Sequence, residues 1–186
     1  MNQQHSPLTL ADARGLFRQK AYPEALDLCN TLLGRNDQQA DVLTLQALIH
    51  KQMGNFEEAR ESIELALGQN PNHVVMLFTG ALINLKLSNF DQAKKQAMKA
   101  AREAPDNPQI NCQCALILGK LKEPQLALQL LEKFVQKNKE HADAWYLIGK
   151  SQAELDNNEA AEYALRECLA LEPEHVNALK RLELIG

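Results

Sequence analysis

The chain has 186 residues, of which 45% are hydrophobic, 24% charged and 5% aromatic; such a composition can fill a core and excludes the disordered class. With 20 basic and 24 acidic residues it carries a formal net charge of −4, which excludes general binding to phosphate backbones over its whole surface. No apolar run approaches the roughly 18 residues that span a bilayer, so no membrane span is expected.

The opening decapeptide, MNQQHSPLTL, has neither a basic stretch nor an apolar segment followed by a small-residue cleavage site. No secretory signal is visible, and a cytoplasmic location is expected. From residue 6 onward the sequence repeats at an offset of 34 residues, a period typical of helical-repeat arrays. Ala25, Ala59, Ala93, Ala127 and Ala161 share one column, and Ala13, Ala47, Ala81, Ala115 and Gly149 form a second in which every member is small. A third column, Leu32, Ala66, Ala100, Phe134 and Cys168, is apolar throughout. A fourth, Asp37, Pro71, Pro105, Lys139 and Pro173, is mostly proline. The repeats are therefore 6–39, 40–73, 74–107, 108–141 and 142–175, within a single domain of residues 1–186.

Inside each repeat, apolar residues recur at three- and four-residue spacing in two blocks split by a polar break. This predicts two amphipathic helices per repeat, an all-α fold of five helix pairs. In repeat 6–39, Pro23 is expected near the start of the second helix, where a missing N–H costs nothing. In 40–73 the first helix is expected to end at Gly54-Asn55, and in 74–107 at Ser88-Asn89; these residues tolerate a left-handed backbone. Pro124 opens the second helix of 108–141, and Asn157-Asn158 is the expected break in 142–175. A proline after a second helix stops it, because its ring clashes with the preceding turn. The small-residue columns let helices approach toward the lower end of the usual 8–10 Å spacing. In the tail, Val176, Leu179 and Leu182 fit one buried face and predict a capping helix over 176–186. A chain cut from a longer protein is the alternative reading of that tail.

These columns resemble the tetratricopeptide repeat, whose motif has a small residue at position 8, Ala at 20, an apolar residue at 27 and Pro at 32. Residues 40–73 match through Ala47, Gly54, Phe56, Ala59, Ala66 and Pro71, and residues 142–175 through Trp145, Gly149, Ala161 and Pro173. Asp37, Lys139 and Asn111, the last at a position usually large and apolar, depart from the motif. The resemblance implies a right-handed superhelix of helix pairs whose first helices line a concave groove at positions 2, 5, 9 and 12. Those positions hold Val75, Phe78, Leu82 and Leu85 in the third repeat, with Leu48, Cys112, Leu116 and Tyr146 around them and Leu10 and Phe17 toward the N-terminal end. Arg14, Lys51, Lys150 and Lys180 stand at groove positions too, with Lys86 and Lys120 one residue beyond. The implied inner surface is an apolar floor edged by lysine, suited to a peptide or amphipathic helix with acidic flanks. The clamp that grips a C-terminal carboxylate, with Lys and Asn at positions 5 and 9 of a first repeat, is absent: those positions hold Leu10 and Arg14, Thr44 and Leu48, or Phe78 and Leu82.

Catalytic and metal signatures are missing from the sequence: no Gly-rich phosphate loop, no HExxH and no recognisable nucleophile motif. No cofactor is expected. His73, His141 and His175 share the last position of their repeats, and helix-packing distances keep such residues too far apart to share one zinc, so they read as turn residues. Cys29, Cys112, Cys114 and Cys168 form no CxxC pair and read as buried, reduced thiols. Glu57, Glu58, Glu61 and Glu64 read as a solvated helix face. The leading expectation is a non-catalytic scaffold that binds a partner protein or peptide, without nucleic acid. One alternative is self-assembly, pairing the basic Lys94, Lys95, Lys99 and Arg102 with the acidic Glu154, Asp156, Glu159, Glu162 and Glu167 of the last repeat. Another is the N-terminal segment of a larger enzyme, such as a bacterial sulfotransferase carrying these repeats.

Overall fold

A computed structural model describes residues 8–35 and 39–185; Asp37 of the proline column and Gly186 of the tail lie outside them. The described residues form helices α1 (Leu10–Arg18), α2 (Tyr22–Leu33), α3 (Gln39–Met53), α4 (Phe56–Gln69), α5 (Val74–Lys86), α6 (Phe90–Glu103), α7 (Pro108–Lys120), α8 (Pro124–Val135), α9 (Ala142–Ala153), α10 (Asn158–Leu171) and α11 (Val176–Ile185), with no strand among them. They divide into two compact units, one up to Asn89 and one from Phe90, so the border falls inside the third repeat. In the first unit α1 pairs with α2 and α3 with α4, while α2 also packs on α3 and α4 on α5. The second unit repeats this arrangement: α7 pairs with α8 and α9 with α10, and α6, α8 and α10 each pack on the helix that follows.

Every first helix ends in the same turn. Lys20, Gly54, Ser88, Lys122 and Asp156 adopt positive φ of 62°, 85°, 60°, 60° and 61°. In each case the next N–H donates back to a carbonyl five residues earlier: Ala21 to Leu16, Asn55 to His50, Asn89 to Asn84, Glu123 to Leu118 and Asn157 to Gln152, all at 2.9–3.0 Å. This is the Schellman closure, which satisfies orphan carbonyls at a helix end. Gly54 and Ser88 are where the break was expected, but in the last repeat the left-handed residue is Asp156, one position before the expected Asn157-Asn158. Pro23 and Pro124 sit in the first turns of α2 and α8. Pro71, Pro105 and Pro173 each follow the end of a second helix by two residues.

In the four later repeats the last position is a helix cap. Nδ1 of His73, His141 and His175 accepts the N–H of Met76, Ala144 and Ala178 at 3.4, 3.3 and 3.1 Å, and Asn107 Oδ1 accepts that of Ile110 at 3.0 Å. Asn111, out of place in an apolar column, is buried with its amide donating to the carbonyls of Ala104, Pro105 and Asn107. It ties the α6–α7 turn instead of filling space.

All five residues in each of the two alanine-rich columns are buried, as is the whole Leu32 to Cys168 column. Gly149 shows why: a Cβ built there would lie 2.7 Å from Leu165 Cγ and 3.1 Å from the Ala161 carbonyl, so α9 and α10 meet backbone to side chain. The tail is a helix, but its packed face differs from the expected one. Ala178 is buried and Leu182 and Ile185 pack beside it on Leu165 and Cys168, whereas Val176 is 58% and Leu179 44% exposed. The small Ala178 lets the helix approach α10, and Val176, Leu179 and Leu184 are turned away.

Candidate functional site

In the first unit, α3 lies beside both α1 and α5, and the second helices α2 and α4 pack against it from behind. The inward side of α5 is filled by Met76, Leu77, Thr79, Gly80, Ala81, Ile83 and Asn84, all buried. Its remaining side is also apolar: Phe78, Leu82 and Leu85 are half-buried and Val75 is 50% exposed, with Lys86 exposed at the end. A helix apolar on both sides is normally enclosed; here the second side borders solvent. On α3, Leu48 and Lys51 are half-buried beside a row of core residues. Burial pushes the Lys51 ammonium below its ordinary range, and no carboxylate among the described residues pairs with it. On α1, Arg14 is exposed and Phe17 half-buried against Tyr22, ring centres 5.9 Å apart, but Leu10 belongs to the core with Ala13, Ala25 and Leu28.

In the second unit the neighbouring first helices are α7, α9 and α11. Leu116 is half-buried and Lys120 exposed on α7, and Tyr146 and Lys150 are half-buried on α9. Tyr146 packs against His175 with ring centres 4.9 Å apart and planes tilted by 37°, and Lys150 lies 3.9 Å from Glu154. Cys112, expected at the surface of this face, is buried, and burial, with Asp143 nearby, raises its thiol to about 12. Lys180 of α11 is exposed. Each unit therefore presents its own apolar, lysine-bearing face.

Anions stand among these cations, and a count of lysines and arginines overlooks them. Position 2 holds exposed Asp41 and Asp143; Asp143 Oδ1 sits 3.3 Å from His175 Nε2. Their signal was the column itself, which placed both carboxylates at the same position as Val75. Among the described residues no three His, Cys, Asp or Glu side chains converge as metal ligands would, and no helix is long and apolar enough to cross a membrane.

Helix pairs joined by one recurring turn at a fixed step, with their first helices side by side, define an all-α helical-repeat solenoid. The chain belongs to the tetratricopeptide repeat family: models of that repeat match residues 40–73 and 115–179, together more than half of its length. The first match coincides with the second repeat. Among curated proteins, the chain is 39% identical over 82 residues to the peroxisomal targeting signal receptor of Yarrowia lipolytica, covering 44% of this chain and 13% of that one. It is also 39% identical over 67 residues to the PEX5-related protein of Homo sapiens, covering 35% and 11%. The chain thus spans little more than a tenth of the length of these relatives. Among solved structures, YrrB, described as a TPR protein with an unusual peptide-binding site, superposes with a TM-score of 0.76 at 20% identity, covering 94% of this chain and 90% of that one. MamA superposes with a TM-score of 0.68 at 17% identity, covering 80% and 81%. Repeats of this family serve generally as protein-interaction scaffolds without catalytic activity.

Proposed function

We propose that the chain is a non-catalytic protein-interaction scaffold that takes up a peptide or helix of a partner protein on its first helices. The observation that carries this reading is the α5 row Val75, Phe78, Leu82 and Leu85, apolar side chains left at the border of solvent on a helix whose other side is already filled. Exposed apolar patches of this kind mark interaction sites. Leu48 and Lys51 on α3 extend the face in the first unit, and Leu116, Lys120, Tyr146 and Lys150 form its counterpart in the second. Lys51 gives the partner its chemistry. A half-buried cation without a carboxylate is relieved when one arrives, so an apolar segment with acidic flanks fits best. The description of YrrB as peptide-binding and the naming of the yeast relative as a targeting-signal receptor agree with a peptide partner. Four buried, unpaired thiols suit the reducing cytoplasm.

Self-assembly through unlike charges is less well supported. Lys94 already pairs with Glu123 at 2.8 Å, and Glu162 and Glu154 pair with Arg166 and Lys150. Capture of partners from cell extract on the immobilised chain tests the proposal. Phe78→Glu and Leu82→Asp each abolish specific capture while leaving far-UV circular dichroism unchanged; retention of capture by both variants eliminates the face.

A further inference from the structure

Two interfaces inside the molecule show what covers a first helix. On α3, Leu43 and Ala47 pack with Ala59, Ile63 and Ala66 of α4, and Gln46 accepts a hydrogen bond from Ser62 at 3.4 Å. On α9, Trp145 meets Tyr163 of α10 edge to face at 6.2 Å, and Gly149 lies against Leu165. The covered positions are thus 4, 7 and 8 of a repeat. The covering helix brings Ala59, Ser62, Ile63 and Ala66 in one case and Ala161, Ala164, Leu165 and Cys168 in the other, all buried.

Helix α11 stands in the register of a first helix, 34 residues after α9. At the same positions it carries Leu179, 44% exposed, and Leu182, half-buried, preceded by Val176 at 58% exposure. Leu182 and Ile185 also form one wall of an open cleft whose other wall is Leu169 and Ala170 of α10, rimmed by the ion pair Glu162–Arg166. The one discordant residue is Glu183. It occupies the column that is alanine or glycine in every repeat, it is exposed, and no cation among the described residues pairs with it.

We propose that this surface of α11 is a second docking site, distinct from the first-helix face, and that its occupant is an amphipathic helix of a partner protein. That helix carries the pattern of α4 and α10 (small, then small again three on, then a large residue next to it, then small and apolar three further), with Lys or Arg as the large residue. The surface continues the α3–α4 and α9–α10 interfaces by one step, which sets the spacing of the apolar contacts. In α10 the large residue is Leu165, which meets Gly149 too closely to admit even a Cβ; over Glu183 the covering helix stands further off, and a long cationic side chain spans the gap to the carboxylate.

The test uses a fluorescent peptide of residues 157–172 with Leu165→Lys, titrated with the 186-residue chain. Saturable binding is expected, weaker by about tenfold for the unmodified peptide. Leu179→Glu in the chain abolishes it, Phe78→Glu leaves it unchanged, and Glu183→Lys transfers the preference to a Leu165→Glu peptide. Absence of saturable binding, or binding indifferent to both Leu179→Glu and Glu183→Lys, overturns the proposal. So does a concentration-dependent dimer that Leu179→Glu dissolves, which assigns the surface to a second copy. Peptide binding that disappears in a longer native chain gives the surface to that chain's own following segment and likewise overturns the proposal.

Discussion

Of the five residues that adopt the left-handed conformation between paired helices, only Gly54 is free of the steric cost that a Cβ brings there. Lys122 has the same geometry at φ 60° and keeps it because the Glu123 N–H closes on Leu118. Lys122→Gly is therefore expected to raise the unfolding free energy by about 1 kcal/mol and Gly54→Ala to lower it by a similar amount, both read from urea midpoints. These turns were only half legible in the sequence. Glycine and Ser-Asn announce a turn; Lys20 and Lys122 do not, because a hydrogen-bonded closure imposes the conformation on whatever residue stands there. Asn157 and Asn158 are the stronger turn formers by type, yet the closure fixes its left-handed residue by distance from the helix end and selects Asp156. The histidine caps were hidden for a related reason: imidazole is outside the usual Ser, Thr, Asp and Asn set, although its Nδ1 reaches the same N–H.

Whole helices were far more legible than their faces. Period and small-residue columns placed the helices, since both follow directly from how two helices approach. The Gly149 contact is the tightest case of that approach. Gly149→Ala is expected to cost about 1–3 kcal/mol through overpacking. Leu165→Ala costs stability alone, but in the double variant the loss falls short of additive, because removing the isobutyl group makes room for the new methyl. Additive losses in a urea-unfolding cycle would show that the two helices do not meet there. The face of α11 was not legible. Five large apolar residues and one alanine on ten positions leave two stripes available, and periodicity cannot say that the stripe holding the smallest side chain goes inward. On α5, apolar on every side, periodicity singles out no stripe, and only the resemblance to the repeat family pointed to Val75, Phe78, Leu82 and Leu85.

At the scale of the molecule the four thiols report on the core. Burial raises Cys29 and Cys168 to about 11 and Cys112 and Cys114 to about 12, from an ordinary 9.0. The folded chain thus holds them protonated where the unfolded chain releases the proton. Their contribution to stability is intact below pH 9, where both states are protonated, and is lost as the pH rises from 9 toward 12, where the unfolded state gains by ionising. A thiol reagent at pH 8 is expected to modify the native chain slowly and the urea-unfolded chain at all four sites; rapid native labelling would show that the core opens readily. Cys112 also marks the limit of reading a site by position. The groove register placed it at the surface, but register states only the direction in which a Cβ points. A short side chain in that direction stays beneath its longer neighbours, whereas Phe78 and Tyr146 reach out to solvent.

The turns also make length adjustable. Because Gly54-Asn55 and Ser88-Asn89 are the same joint in the same register, excising residues 55–88 joins Gly54 to Asn89 and restores the dipeptide that the cut removed. Such a deletion changes the number of repeats without creating a new junction. Any loss or gain of segments in whole steps of 34 residues would leave every remaining bend chemically familiar, and a deletion of any other size would not.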